Sequence, residues 1–548
     1  MKKLVLVLLF AILIGPANAI EERRNIRVGL SDDKFATYSH LEATFYSKSN
    51  ILITDMPNNK SLNLLVGDEI TFKFNNGLID VIIDGKTILE HAQGPFAMTS
   101  NTPISFKGVK RKGIQASYDG QMEVLLNPTK TGLNVVNSLD MNTYLKGVVP
   151  NEMPIYFGLE ALKAQAVAAR NYANRENKFK NTYDICDSVS CQVYFGANTK
   201  HELSNRAVDE TESIYVLYDL EPALTLYHST AGGITEDWEK VFLNNDTLLK
   251  PMKLHPYLLS KGEKLKSEKD VKKYYSKKPD SNDVLSPKYR WEYSWSEEEL
   301  INSFNSRFGG EFKRKLLTPE WNEEKLISKI EDIKVLKRGH SGKALLLEVK
   351  TDIGTFKIKG EGAIRRVFLK NGSILPSANF FIEVEEEKIK DENDTIFTFA
   401  DDLKQKTYKV IGGGFGHGVG MSQYGAYFMA KDGKNYSEIL RYYYSNTTIG
   451  TLPRHINQWS DEVIPIYFDK KSMKKIIFRL DNTSGLKQFV FKINDLVFSP
   501  NMEQYHKKPL WFEISKYLKE GKNEIFVQKL SPEDTDKKCN YWLEIVGE

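Results

Sequence analysis

The segment Leu159-Glu-Ala-Leu-Lys-Ala-Gln-Ala-Val-Ala-Ala-Arg170 is the strongest constraint on how this chain can fold. Alanine is the best helix former, and Leu159, Leu162, Ala166 and Ala169 fall on one stripe at helical spacing. Small residues there let another backbone pack close. A rigid, buried helix is predicted over 159–178, and the rest of the fold must enclose it. Most of what surrounds it reads as strands. Glu69-Ile-Thr-Phe-Lys-Phe74 alternates with period two, and Leu78-Ile-Asp-Val-Ile-Ile83 is a buried-strand run. Asn75-Asn76-Gly77 between them suits a hairpin turn. Strands return at Ala344-Leu-Leu-Leu-Glu-Val349 and Asn379-Phe-Phe-Ile-Glu-Val384, and again at Lys475-Ile-Ile-Phe-Arg-Leu480 and Gln488-Phe-Val-Phe-Lys-Ile493. The predicted fold class is α+β: a β-rich region around an alanine-rich helix, then an all-β, sandwich-like domain at 455–548. The β-rich part at 20–135 leads into a core at 136–452, which carries a lysine-rich, solvated insertion near 239–290.

The first residues suggest export. Lys2 and Lys3 precede an apolar run from Leu4 to Ile14, and Ala17-Asn18-Ala19 offers a small-residue cleavage site. That run is well short of the roughly 20 residues of a spanning helix. The expected product is exported, to the periplasm or the cell wall and extracellular space. Lys and Arg number 76 against 72 Asp and Glu, a near balance that argues against a nucleic-acid partner. Three cysteines cannot build a framework of many disulfides. Cys186 and Cys191 are close enough to pair or to share a metal, and Cys539 is left over as a buried or free thiol.

Five places could carry chemistry. Glu152 lies in Pro150-Asn-Glu-Met-Pro154, read as a tight loop ahead of the apolar helix. A carboxyl held among apolar groups has a raised pKa and can act as a general acid; the same residue could simply satisfy backbone N–H groups. Arg170 would need a carboxylate or carbonyl partner if buried, or would complement the helix dipole. Tyr227-His-Ser-Thr-Ala-Gly-Gly233 sets His228 and Ser229 on opposite faces of a strand, which disfavours a nucleophile pair and suits contact with a polar ligand. Six glycines between 412 and 420 let the backbone approach a ligand or another backbone, and His417, Ser422, Gln423 and Tyr424 add polar and aromatic groups suited to sugars. The last is Asp184-Ile-Cys-Asp-Ser-Val-Ser-Cys-Gln-Val-Tyr194, where a disulfide and a metal both stay open.

Taken together, Tyr144-Leu-Lys-Gly-Val-Val-Pro-Asn-Glu-Met-Pro154, Glu160 to Arg170, Cys191-Gln-Val-Tyr194, His228-Ser-Thr-Ala-Gly-Gly-Ile-Thr-Glu236 and Gly414-Phe-Gly-His-Gly-Val-Gly-Met-Ser-Gln-Tyr-Gly-Ala426 resemble the stage II sporulation protein D (SpoIID)/LytB family. The resemblance covers roughly residues 25–452. Its sporulation members are peptidoglycan lytic transglycosylases acting on glycan strands stripped of stem peptides. Its LytB members are described as enhancers of an N-acetylmuramoyl-L-alanine amidase. The resemblance implies that Glu152 is the acid/base, with Tyr194, Gln423 and Tyr424 as helpers and Arg170, His228, Ser229, His417 and Ser422 as further glycan contacts. Glycan strands and a cell-wall amidase are the implied partners. Sporulation members can hold zinc with two Cys and two His. Here the Cys match Cys186 and Cys191, but the histidine positions hold Ser190 and Lys180, so no cofactor is expected to be required. A Cys186–Cys191 disulfide or free thiols fit that departure better than a complete zinc site.

Overall fold

The structure is a computed structural model that describes residues 25–174, 182–242, 255–388, 404–456 and, with short breaks, 463–546. The leader at 1–19, the end of the alanine-rich segment at 175–178, Lys180 and residues 243–254 of the lysine-rich stretch lie outside the described residues. The fold is α+β and rich in strands, and the chain divides into two units.

The larger unit takes Arg24–Asp209 and Ala223–Thr447. It opens with two sheets. One is ordered Ile185–Cys186, Asn25–Leu30, Leu133–Asp140, Gln121–Leu126, Phe96–Ser100, Ile51–Asp55, Lys60–Leu64. The other is ordered Ile114–Tyr118, Ile104–Arg111, Glu42–Ser47, Ile70–Asn75, Leu78–Ile83, Lys86–Ala92. Apolar residues on alternate strand positions close the space between them, as where the Phe72 ring meets Phe96 at 5.2 Å. The hairpin read at Asn75-Asn76-Gly77 is present: Asn76 and Gly77 both have positive φ, which a two-residue turn between twisted strands requires.

Two helices follow. Helix α1 spans Met141–Glu152, with Asp140 Oδ1 accepting the Thr143 N–H at 2.9 Å as its N-cap. Helix α2 spans Leu159–Ala173 and is buried along almost its whole surface, including Ala161, Ala164, Ala166, Ala168 and Ala169. It packs against α1 and against the helices Glu202–Asp209, Gln423–Lys431 and Tyr436–Tyr443. The alanine stripe thus does what its size allows, admitting neighbours on several sides. Gly147 in α1 is needed for a related reason, because a Cβ there would strike the Tyr194 ring.

Within this unit, described residues between Trp291 and Val410 build a core of their own, including Trp295, Phe304, Phe308, Trp321 and Phe356. The lysine-rich stretch is less solvated than the sequence suggests. Helix Glu268–Tyr275 exposes its lysines but buries Val271 and Tyr275, and the following segment buries Asp283 and Tyr289. Hydrophobic residues at that spacing are sparse, which is why they read as surface.

The smaller unit joins Glu210–Pro222 to Thr448–Glu548. Strands Val463–Phe468, Gly521–Lys529, Phe489–Ile493 and Leu496–Phe498 form one sheet. A second contains Lys475–Asp481 between Asn540–Val546 and Leu510–Glu513. Phe478 of the second sheet meets Phe491 of the first at 4.5 Å, so this is a two-sheet sandwich. Strands Tyr215–Tyr218 and Thr448–Gly450 extend the second sheet, drawing in a segment from well before residue 455. Cys539 is a buried free thiol here.

Cys186 and Cys191 form a disulfide, which closes one of the two alternatives left open by their spacing. It pins the turn immediately ahead of Gln192 and Val193. Loop-closure entropy for so short a ring puts its worth at about 2 kcal/mol. Reductant, or the Cys186→Ser/Cys191→Ser pair, should lower the melting temperature accordingly; an unchanged melt in reductant would show the bridge to be without effect.

Candidate active site

The last turn of α1 delivers Glu152. Sequence reading sets this residue in a tight loop ahead of the apolar helix. The helix instead runs through Pro150, and the Met153 N–H closes it on the Val149 carbonyl at 3.0 Å. Glu152 is therefore fixed by helical backbone rather than by a loop.

Its carboxylate Oε1 accepts the Val193 N–H at 2.6 Å, and the Tyr227 hydroxyl also donates to it. Burial outweighs both bonds and raises its pKa from 4.5 to about 7. Behind it lies a polar chain. Gln192 Nε2 donates to the Tyr227 hydroxyl oxygen at 3.0 Å, and the Tyr144 hydroxyl donates to Gln192 Oε1 at 3.0 Å. Gln423 Nε2 donates to the Glu152 main-chain oxygen at 2.9 Å and to Gln165 Oε1 at 3.2 Å. These bonds tie α1, α2, the post-disulfide segment and the helix Gln423–Lys431 together around one carboxyl group.

Burial of this group affects stability as well as chemistry. Unfolded, Glu152 releases its proton near 4.5; folded, near 7. Between those values the native state binds more protons, so stability falls as pH rises. Glu152→Gln should be as stable as the parent at pH 4 and more stable at pH 8, by up to about 3 kcal/mol. Equal melting temperatures at pH 8 would mean that the carboxyl is not held in this environment.

Of the other expected site residues, Gln423 comes together with Glu152. Tyr424 follows Gln423 on the helix, is partly exposed, and has its hydroxyl 3.4 Å from that of Tyr156. Tyr194 does not reach the site surface. It is fully buried, with its hydroxyl donated to Asn137 Oδ1 at 2.6 Å and its ring against Tyr118 and Tyr144. Arg170 is likewise buried, and Nη2 donates to the Val208 carbonyl at 3.4 Å, the carbonyl partner its position demands. Both are supports rather than ligand contacts.

The glycine run packs closely against backbone. Side-chain carbons at Gly413, Gly414 and Gly420 would strike main-chain atoms of Tyr289, Ala231 and Leu226. The run pairs with the 227–236 segment through Tyr227–Met421, His228–Ser422, Thr230–Phe415 and Glu236–Val419. His228 is buried, with Nδ1 3.1 Å from the Val419 carbonyl, and its pKa is driven down by burial and by His417. His417 accepts the Val419 N–H at 3.1 Å and is pushed down to about 4 by burial. Both imidazoles are neutral near pH 7. Ser229 supplies its carbonyl to the Tyr424 N–H at 3.1 Å. Ser422 caps the helix, accepting the Gly425 N–H at 3.2 Å.

Sequence reasoning missed four residues. Val193 and Gln192 sit in the Cys191-Gln-Val-Tyr194 block, and Tyr227 directly precedes His228; the blocks are visible, but not that the Val193 N–H and the Tyr227 hydroxyl meet Glu152 while Gln192 holds Tyr227. Asp283 gave no signal, since it lies in the lysine-rich stretch. Its Oδ2 accepts the Ala231 and Gly232 N–H groups at 2.6 and 2.9 Å and lies 3.4 Å from Ser422 Oγ. Asp283 thus links the segment that follows Tyr227–His228 to Ser422.

The donor set does not suit zinc. The disulfide removes both thiolates that the sporulation pattern would use, and no cluster of three or more His, Cys, Asp or Glu suits a metal among the described residues.

A family model described as stage II sporulation protein matches residues 129–218, the stretch that contains Glu152, both cysteines and Gln192. A second, described as a domain of unknown function, matches 245–420. The chain is 31% identical over 351 residues to an uncharacterized protein of Brachyspira hyodysenteriae, covering 63% of this chain and 75% of that one. It is 28% identical over 347 residues to stage II sporulation protein D of Bacillus subtilis, covering 60% and 80%. It is 29% identical over 311 residues to the amidase enhancer of the same organism, covering 56% of this chain but only 40% of the enhancer's length. The chain belongs to the SpoIID/LytB family.

Proposed function

We propose that this protein is a lytic transglycosylase of peptidoglycan, exported to the cell wall, that cleaves glycan strands with Glu152 as its single acid/base. The observation that carries this reading is the environment of Glu152. Its pKa of about 7 keeps a large protonated fraction at neutral pH, as a general acid needs. Among the described residues, no second carboxylate contributes to its titration.

One carboxyl group suffices if the nucleophile belongs to the substrate. Ordinary glycosidases need two, because water or an enzyme group attacks the anomeric carbon. Here Glu152 gives its proton to the glycosidic oxygen as the bond to the anomeric carbon breaks. The resulting carboxylate then takes the proton of the sugar's own C6 hydroxyl as that oxygen bonds to the anomeric carbon. The strand ends in a 1,6-anhydro ring and Glu152 is protonated again, ready for another cycle. Holding the attacking oxygen on the same ring lowers the entropic cost of attack. Val193 and Tyr227 donate to the carboxylate and ease its transient charge.

The relative named amidase enhancer favours a second reading, in which the protein stimulates a cell-wall amidase without cleaving glycan. A digest of purified strands with and without stem peptides, by the parent and by Glu152→Gln, separates them. Cleavage by the parent alone supports the transglycosylase. Intact strands with both proteins, joined to stimulation of an added amidase by both, support the enhancer.

A further inference from the structure

We infer that Tyr156, with Tyr424 and Tyr427, forms a stacking platform for a sugar ring of the glycan strand, beside the acid/base; this rests on the glycan-cleaving reading above. Tyr156 is 66% exposed, although a large aromatic side chain is usually spent on a core. It is presented rather than left loose. It sits on a single 3-10 turn, Ile155–Phe157, between Pro154 and Gly158. The next residue, Phe157, is buried and anchors that turn, stacking on Tyr427 at 4.6 Å with 12° between the rings and meeting Tyr424 at 4.8 Å. Tyr156 in turn packs edge-on to Tyr427 at 5.9 Å and to Phe157 at 5.0 Å. Its hydroxyl pairs with that of Tyr424 at 3.4 Å.

The location ties this cluster to Glu152 by two routes. Tyr156 is four residues beyond Glu152, which limits their separation to about 14 Å. Tyr424 adjoins Gln423, whose side chain holds the Glu152 carbonyl at 2.9 Å. The chemistry suits a pyranose. A β-1,4-linked sugar offers a C–H face to an aromatic ring and hydroxyls at its edge. The platform offers exposed ring surface and, at its rim, two phenolic hydroxyls that both donate and accept. A polar polymer can thus be gripped with no charged group on the protein. Mobile loops would lose entropy on binding a strand; this anchored turn would lose little.

The test uses the full chain carrying Glu152→Gln, so that strands are bound and not cut. Calorimetry measures its affinity for a tetrasaccharide of β-1,4-linked N-acetylglucosamine and for stem-peptide-free glycan strands. Adding Tyr156→Ala should weaken both about tenfold, the equivalent of about 1.4 kcal/mol. Tyr156→Trp should keep the affinity within about twofold, since a ring remains. Melting temperatures should hardly differ, because Tyr156 is exposed, and this separates lost binding from lost folding. Unchanged affinity in the Ala variant, with the parent still binding, would overturn the platform alone. A parent that binds neither probe would overturn the glycan reading and the platform with it.

Discussion

Replacing Glu152 with Gln should lower the rate of strand cleavage about 10²- to 10⁴-fold, the usual worth of a positioned general acid. The substitution keeps the size of the side chain and an oxygen for the Val193 N–H, but removes the proton that the leaving oxygen needs. The parent should also show a characteristic pH dependence. Its kcat/KM should fall above about pH 7, roughly tenfold per unit, as the carboxyl of the free enzyme ionises. A profile that stays flat to pH 9, or a Gln variant as active as the parent, would remove Glu152 from the acid role. The same substitution is expected to stabilise the fold at high pH. Activity and stability should therefore move in opposite directions, which a simple folding defect cannot produce.

The second large effect concerns the foundation of the site. Arg111 Nη2 lies 2.7 Å from Asp187 Oδ2, and both side chains are out of solvent. Asp187 also accepts the Ser31 N–H at 3.2 Å, and Arg111 Nη2 donates to the Ser31 carbonyl at 3.0 Å. Burial lifts the Asp187 pKa despite the neighbouring guanidinium, so desolvation costs more than the attraction returns. Such a pair contributes little compared with an apolar replacement, yet breaking it is severe, because one charge stays buried alone. Asp187→Ala should cost about 3–5 kcal/mol, lowering the melting transition of this unit on the order of 10 °C. Replacing both partners, as Arg111→Met/Asp187→Leu, should recover most of the loss. A double variant no more stable than Asp187→Ala would refute this account. Asp187 lies inside the disulfide ring that precedes Val193, so Asp187→Ala should also depress strand cleavage.

What could be read from the sequence follows the range of the forces involved. The hairpin at Asn76-Gly77 and the alanine-rich helix are set by local conformational preference, and both stand in the structure. The C-terminal strands were visible through their period-two pattern; the strand Tyr215–Tyr218, far away in sequence, joins them through backbone pairing that no local pattern announces. Glu152 was visible as a residue but not as the end of a helix, since Pro150 suggests a break that the surrounding packing overrides. Tyr194 and Arg170 look like ligand contacts until Asn137 and Val208, distant in sequence, are found to occupy their polar atoms. The glycines at 412–420 correctly signal close approach, but only the fold reveals that the approaching group is protein backbone. Asp283 is the clearest case of what sequence conceals. An acid in a lysine-rich stretch looks solvated, and only the folded chain brings it to Ala231, Gly232 and Ser422.

The central claim is that the substrate's own hydroxyl, and not water, completes the cleavage. It is tested most directly by digesting stem-peptide-free strands in heavy-oxygen water and examining the new ends by mass spectrometry. The new ends should be 1,6-anhydro-muramic and free of the heavy isotope. Reducing ends that carry the heavy oxygen would contradict it and make the protein a hydrolase, and strands left intact would contradict it in favour of the amidase-enhancing role.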